Sequence, residues 1–535
     1  MTKRPRRTIE TVMVENSIIR STGIVAVSTL VSRVLGFLRD MIVANYFGAS
    51  AALDGFFVAF RIPNLLRRLV AEGALTISFI PVYTEYLVRQ GDREALALAQ
   101  KTLSILLAVL TLLVGLGVVF SPQIVGLFAY GFNDQSVISL TVGLNRVMFP
   151  YLFLVGVVAF AMGVLNSHGY FFAPAVSPAL LNVGFIAGAV LLRGFFAEPL
   201  YGLALGVIVG GVLQVALQVP YMVRAGFRMK VSLDFNHPGI RRIFRLITPA
   251  LFGIAVYQIN IFMSTVLASM LPSGSISYLY YSDRLTELVL GIFIVSIGNV
   301  ILPEMSRMSA LDDMDRLKRL YRQSVKAALF LAVPAAVALM VVGLPVISVL
   351  FLRGAYTPRD AELTYRALFY AGIGIAPLAV LRITTPTFYS LKDTRTPVMT
   401  SALSFVLNIS LGYVLMRTEL KHAGLSLANS IAVFAQVGIL YVVLKKKIGA
   451  AVEGGIMGPL VKMVLSSLIM GAAVWCIAGM VDWLGAPFLK RLCFLGVIVA
   501  AGGAVYLASC AAMGVEEINV LRRLIARVAG RSRGA

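Results

Sequence analysis

Charged residues are scarce in this 535-residue sequence: Asp, Glu, Lys and Arg make up 13% of it, against 59% hydrophobic residues. A soluble domain carries about a quarter charged residues, so a soluble multidomain enzyme is a poor reading. Cysteine is scarce as well. Cys476, Cys493 and Cys510 fall in the last two apolar runs without ligand-like spacing, so packing is their expected role and no disulfide framework is implied. His168, His237 and His422 are scattered, which leaves a metal site without support. A cleavable signal is also missing, because the first apolar stretch runs on through Arg33 and Arg39 with no small-residue cleavage site after a short core. There is no catalytic acid–base pair, nucleophile triad or phosphate-binding glycine loop, and no connection long enough to fold as a catalytic domain. The expectation is a protein that is not an enzyme.

What is present is apolar sequence, at a mean hydropathy of +0.87. Runs of about 20 residues, enough to cross a hydrocarbon core, recur from end to end. We place fourteen helices at 17–46, 51–87, 97–120, 137–166, 172–192, 200–223, 241–271, 276–306, 318–350, 361–390, 397–416, 423–445, 457–481 and 490–513, an all-α polytopic membrane protein. Several exceed the membrane thickness and are expected to tilt or project. The net charge of +22 suggests nucleic acid, but its placement argues otherwise. Lys and Arg cluster at alternate connections, such as Arg224/Arg228/Lys230, Arg316/Lys318/Arg319/Arg322 and Lys445/Lys446/Lys447. Connections near Gly48, Asn133 and Ser273 have none. The positive-inside rule then puts both termini in the cytoplasm and requires an even number of spans. Most of the charge is topology, and no nucleic-acid partner is expected.

The chain also repeats itself. Phe79-Ile80-Pro81 is echoed by Ile301-Leu302-Pro303, Gly202-Leu203-Ala204-Leu205 by Gly424-Leu425-Ser426-Leu427, and Gln214 by Gln436, all at an offset of 222 residues, with Ala173-Pro174 and Thr396-Pro397 at 223. An even number of spans separates the copies, so this is a parallel repeat, as in transporters whose site lies between halves. Residues 1–232 (helices 1–6) and 233–447 (helices 7–12) would form two lobes, with helices 13 and 14 and a basic cytoplasmic tail in 448–535. Gly202, Gly206 and Gly210 form a tandem small-xxx-small pattern that reads as close helix packing.

Against this background the first two helices are anomalous. They contain Arg33, Arg39, Asp40, Asp54, Arg61, Arg67, Arg68 and Glu72. Each ionised group at mid-bilayer costs roughly 2.5–3.5 kcal/mol, so eight facing lipid would cost on the order of 20 kcal/mol. They must face protein, water or a ligand. Arg33 to Asp40, and Asp54 to Arg61 to Arg68, step by seven residues, which suggests a shared face, and Pro63 is expected to bend the second helix. Helix 8 adds Asp283, Arg284 and Glu287, and Arg146 and Arg382 are isolated intramembrane cations. The competing reading is an ion-pair network that only holds helices together. Such a network tends toward neutrality, yet here five arginines face three acids. All five cations are Arg, whose fork fits phosphate or carboxylate bidentately, so the surplus asks for an anion such as pyrophosphate.

The segment Ser32-Arg33-Val34-Leu35-Gly36-Phe37-Leu38-Arg39-Asp40 resembles the opening signature of the MurJ/MviN family of lipid II flippases. So does the stretch from Asp54 through Arg61-Ile62-Pro63-Asn64-Leu65-Leu66-Arg67-Arg68 to Ala71-Glu72-Gly73-Ala74, and later Tyr280-Tyr281-Ser282-Asp283-Arg284-Leu285 and His422-Ala423-Gly424-Leu425. The resemblance implies the multidrug/oligosaccharidyl-lipid/polysaccharide exporter fold in the bacterial inner membrane. It implies movement of an undecaprenyl-pyrophosphate-linked peptidoglycan precursor, lipid II, to the periplasmic leaflet. It makes Arg33, Arg39, Arg67 and Arg284 substrate-binding arginines, which Arg61 joins from the same run. Asp40, Asp54, Glu72 and Asp283 become gating acids, which Glu287 joins from its cluster. Helices 13 and 14 would line a groove for the polyprenyl tail. Partners would be lipid II, membrane lipids and, as an open candidate, the cell-wall synthesis machinery. No cofactor is implied; the drive would be membrane potential or an ion gradient. Some members are thought to use sodium through an acid in helix 7, but here that span offers only Gln258 and Asn260, with Asn408 and Asp393 near helix 11 as further oxygen donors. The alternative is a multidrug or polysaccharide-lipid exporter of the same superfamily.

Overall fold

The computed structural model describes residues 9–449 and 455–518, with side chains at 9–22, 70–74, 248–254, 256–257 and 292–300 left undescribed. Every regular element among the described residues is helical. Helix α1 spans Ile9–Phe47, and α2 (Ala51–Arg67) opens where Ser50 accepts a hydrogen bond from the Leu53 amide, satisfying one of the amides that a helix start leaves without a partner. Helix α2 stays α-helical through the buried Pro63. The irregularity comes later, as a π-helical stretch over Arg68–Phe79 that passes into α3 (Ile80–Gln90). Next come α4 (Asp92–Val119), a short α5 (Ser121–Phe128) that the hydropathy pattern did not suggest, α6 (Gln135–Met148), α7 (Tyr151–Ser167), α8 (Phe172–Ala187), α9 (Leu200–Arg224) and α10 (Pro238–Ser269). The remainder is α11 (Ser275–Ala310), α12 (Met314–Leu350), α13 (Pro358–Ile373), α14 (Ile375–Ser390), α15 (Arg395–Leu415), α16 (His422–Ile448), α17 (Met457–Ala478) and α18 (Phe488–Ala512).

Nine helical spans among the described residues are long and apolar enough to cross a membrane, and the bent pair α13–α14 makes up to ten. Reaching fourteen requires α1, the α2–α3 unit, α10 and α11, the helices that carry most of the intramembrane charge. The bend in the pair is 45° at Gly374, where the sequence suggested one continuous helix. Pro377 explains it: a proline ring clashes with the carbonyl four residues earlier, here that of Ile373, and donates no hydrogen bond to it.

Two compact units, Met1–Met270 and Leu271–Ala535, divide the chain. The division at 232 and 447 follows the repeat; the compact units instead keep α10 with the first half, where it packs on the Arg68–Phe79 stretch. The duplication is visible in the helices themselves. Helix α4 starts at Asp92 and α12 at Met314, α8 at Phe172 and α15 at Arg395, α9 at Leu200 and α16 at His422, all 222 or 223 residues apart. Within its own unit α8 packs on α9, and α15 on α16. A buried glutamine makes a related bond in each pair: Gln214 donates to the Ser177 carbonyl at 3.0 Å, and Gln436 to the Ser401 hydroxyl at 2.9 Å. Helices α17 and α18 pack on α12 and on each other, with the Tyr506 hydroxyl donating to the Phe330 carbonyl.

The glycine pattern does what its spacing suggested. A Cβ on Gly206 would lie 2.5 Å from the Gly184 carbonyl oxygen, one on Gly184 would lie 2.4 Å from the Gly210 Cα, and one on Gly202 would lie 2.6 Å from the Arg193 nitrogen. Backbone meets backbone, so no side chain can yield. Gly206→Ala should lower the melting temperature of the purified protein, by an overpacking cost of about 1–3 kcal/mol. Gly503→Ala on α18, where a Cβ would meet nothing within 4 Å, should leave it unchanged or slightly raised.

Asp393, in the turn after α14, accepts from Lys447 at 2.6 Å and from the Thr396 amide and hydroxyl at 2.9 and 2.7 Å. Burial alone would raise its carboxyl. The Lys447 and Thr396 hydrogen bonds outweigh that and hold it down to about 2. A carboxyl depressed by folding stabilises the fold above its unfolded pKa, and that contribution disappears as pH falls through the folded value. Asp393→Asn should therefore melt earlier than wild type near neutral pH, with the gap closing between about pH 4 and pH 2. A gap of constant size across that range would contradict the assignment.

Candidate substrate-binding site

In the first unit the charged residues lie on α1, α2 and the π-helical stretch that follows α2. Arg39 and Asp40 are 8% and 3% exposed, and they pair with each other although adjacent in sequence: Arg39 Nε and Nη2 donate to Asp40 Oδ1 at 2.9 and 2.7 Å. Arg39 Nη1 donates to Asn182 Oδ1 on α8 at 3.1 Å, and the Asn182 amide in turn donates to the Ser32 carbonyl at 3.0 Å. The Phe185 ring lies 4.9 Å from the Arg39 guanidinium carbon. This ties the end of α1 to α8 through a charged group that is hydrogen-bonded in its own plane and covered by an aromatic ring.

Asp54 on α2 is buried at 3% exposure. Arg61, one step of seven further along, reaches α10, where its Nη1 donates to the Thr265 hydroxyl at 2.7 Å. Arg67 Nε donates to Asn64 Oδ1, one turn back on the same helix, at 2.9 Å. Arg61, Arg67 and Arg68 are all half-buried. Arg33 is exposed while Asp40 is buried, so the seven-residue step does not give those two a common environment. The helical sweep of α1 is unchanged. The long Arg39 side chain turns to its sequence neighbour Asp40. Glu72 lies outside the described side chains.

In the second unit Arg284 on α11 is half-buried, with Asp283 and Glu287 exposed beside it. Arg284 Nη1 donates to Glu287 Oε2 at 3.0 Å and Nη2 to the Tyr280 hydroxyl at 3.1 Å, with the guanidinium carbon 4.9 Å from that ring. The same helix is anchored by Tyr278, whose hydroxyl donates to Asp360 Oδ1, the acid of the Thr357 capping box that starts α13. Arg146 and Arg382 are exposed.

Sequence reasoning missed Asn182, Phe185, Thr265 and Tyr280 as partners. A lone amide in an otherwise apolar helix was the available signal for Asn182; Tyr280 stood inside the quoted motif. Among the described residues no group of three or more His, Cys, Asp or Glu side chains could hold a metal. Asp393, one of the oxygen donors near helix 11, is taken up by Lys447 and Thr396.

The arrangement offers half-buried arginine forks together with acids that can compete for them, as suits a phosphate-bearing ligand. The family profile described as Lipid II flippase MurJ matches residues 43–494. The chain belongs to the MurJ family of lipid II flippases. A Vibrio cholerae relative named probable lipid II flippase MurJ is 36% identical over 94% of this chain and 98% of its own length. One from Burkholderia cenocepacia, named lipid II flippase MurJ, is 33% identical over 92% and 97%. The solved structure of lipid II flippase MurJ in an inward closed conformation superposes with a TM-score of 0.77 at 25% identity, covering 94% of this chain and 99% of that one. An inward-facing multidrug resistance MATE family transporter of the MOP superfamily aligns at a TM-score of 0.67 and 14% identity over 79% of this chain and 96% of its own, which shows a shared fold. The MurJ family assignment agrees with the multi-span helical architecture and with a transporter rather than a soluble enzyme.

Proposed function

We propose that this MurJ-family chain moves lipid II, the undecaprenyl-pyrophosphate-linked peptidoglycan precursor, from the cytoplasmic to the periplasmic leaflet of the inner membrane by alternating access. The near full-length family match carries this reading. Residue chemistry supports it: setting aside the Arg39–Asp40 pair leaves Arg33, Arg61, Arg67 and Arg68 against Asp54 and Glu72 in the same stretch of sequence. Arginine forks replace phosphate hydration bidentately, and in a low-dielectric environment each such contact is stronger than in water.

In this reading Arg33, Arg39, Arg61, Arg67 and Arg284 bind the pyrophosphate and headgroup. Asp40, Asp54, Glu72, Asp283 and Glu287 act as gates, each holding an arginine until the substrate anion displaces it. The exchange keeps the buried charge balanced, because one anion leaves the guanidinium as another arrives. No covalent bond forms or breaks, so the chain is a transporter and not an enzyme. The lobes 1–232 and 233–447 are the moving bodies, 448–535 adds α17, α18 and the tail, and both termini lie in the cytoplasm. No resident cofactor takes part; membrane potential acting on the charged site supplies the drive.

The experiment is expression in cells depleted of their own lipid II flippase, where rescue of growth and cell shape is expected. In proteoliposomes carrying lipid II, collapsing the potential should slow translocation. Failure to rescue despite correct membrane insertion would overturn the reading.

A further inference from the structure

Two arginines outside the proposed substrate site stand together at one end of the second unit. Arg353 follows the end of α12, and Arg491 lies in the first turn of α18. Arg491 is 8% exposed; its Nη1 donates to the Ser348 carbonyl at 3.0 Å and faces the Trp483 carbonyl at 3.5 Å. Arg353 Nη2 donates to the Val349 carbonyl at 2.6 Å, and its guanidinium carbon lies 5.2 Å from the centre of the Phe488 ring. Both therefore sit on the last carbonyls of α12. That helix terminus supplies a partial charge of about −0.5, too little to balance two full positive charges.

Neither arginine makes an ion pair with an acid among the described residues. Asp482, on the neighbouring turn, accepts from the Leu484 and Gly485 amides, and Asp360 accepts from Thr357 and Tyr278. The Nε–H of each arginine is buried and makes no hydrogen bond. Burial first, and the Arg491 charge second, lower the Arg353 guanidinium from its ordinary value, so the two cations feel each other. A buried and a half-buried cation side by side without a counter-ion are disfavoured unless an anion completes the site.

The location says which anion. The first turns of α12 carry Arg316, Lys318, Arg319 and Arg322, and Arg353 lies beyond its opposite end. By the positive-inside rule that opposite end is extracytoplasmic, at the depth of lipid headgroups. Beside the pair, α18 leaves Phe488, Leu489 and Leu492 exposed at 43%, 71% and 44%, an apolar strip suited to an acyl chain running from a headgroup held by the arginines. We propose that Arg353 and Arg491 form a second anion site, which holds the phosphodiester headgroup of an anionic bilayer lipid in the extracytoplasmic leaflet and so fastens the α17–α18 turn to the end of α12.

The test uses the full chain purified in phosphate-free detergent and titrated separately with phosphatidylglycerol, phosphatidylcholine and inorganic phosphate. Bound lipid is read by native mass spectrometry and stability by melting temperature. Phosphatidylglycerol should be retained in preference to phosphatidylcholine and should raise the melting temperature. Arg353→Gln should weaken its retention by roughly tenfold, the loss of one charged hydrogen-bonding partner. Arg417→Gln, an exposed arginine elsewhere in the unit, should not. Arg491→Gln also removes the bond to Ser348 and is expected to unfold more readily, so the half-buried Arg353 decides the matter. Unchanged phosphatidylglycerol retention in Arg353→Gln would overturn the site. Equal retention of both lipids, with inorganic phosphate alone stabilising the protein, would overturn the lipid assignment in favour of a free anion.

Discussion

Arg284→Ala is expected to abolish rescue of flippase-depleted cells while the protein still accumulates in the membrane. Two of the contacts that Arg284 makes, to Glu287 and to the Tyr280 hydroxyl, lie within one turn of it on α11, and Glu287 is exposed. A partly exposed pair of this kind contributes at most about 1 kcal/mol to stability, so the melting temperature should move little. Contact with a phosphate is a different matter. Truncating one member of a desolvated, hydrogen-bonded charge pair costs about 2–5 kcal/mol, which weakens substrate binding by tens to thousands of fold. Arg284→Lys separates charge from geometry. It keeps the cation but loses the planar fork, so partial rescue is expected, between wild type and alanine. Full growth on Arg284→Ala at normal expression would remove Arg284 from the site. A large fall in melting temperature would instead make it a structural residue of α11.

Much of this protein is legible in its sequence because membrane helices obey short-range rules. Apolar length and punctuation by Gly91, Gly169 and Gly449 mark helix ends to within a few residues, and the 222-residue offset survives into matching helix starts. What the sequence hides depends on contacts across long separations or on local backbone chemistry. The Arg39–Asn182 bond joins residues 143 apart, and no periodicity within α1 points to an amide on α8. The seven-residue step suggests a shared face, yet Arg39 reaches sideways to its neighbour Asp40, and Arg33 is exposed. The short α5 is hidden because eight residues are too few for a periodic signal. Pro63 lies inside a continuous α2, whereas Pro377 stands beside the break at Gly374, against the carbonyl of Ile373. A proline's identity is visible in a sequence, but whether its helix absorbs the lost hydrogen bond depends on the packing around it.

Arg39 and Asp40 allow structure and transport to be separated in one cycle of variants. Both are buried, so Arg39→Ala leaves the Asp40 carboxylate without the guanidinium that donates to it twice. Removing one partner of a buried pair costs about 3–5 kcal/mol, a large share of the stability of any domain. The single variant should therefore melt far below wild type and accumulate poorly. Asn182 would also lose its donor from Arg39, although its own bond to the Ser32 carbonyl remains. In Arg39→Ala/Asp40→Ala the carboxylate that lost Arg39 is gone as well, and much of the lost stability should return, because replacing a whole buried pair by apolar groups can be nearly neutral. If the pair were only a strut between α1 and α8, the double variant would regain growth together with stability. If Arg39 also takes the substrate anion when Asp40 releases it, the double variant will fold and insert yet fail to rescue depleted cells. Asp40→Asn refines the point: the amide still accepts a hydrogen bond but no longer balances the charge. Lipid II should then bind the variant more tightly and be released more slowly, giving a fall in turnover with no loss of affinity. An Arg39→Ala protein that melts like wild type would show that the pair stabilises nothing, and a double variant that restores growth would reduce it to a strut.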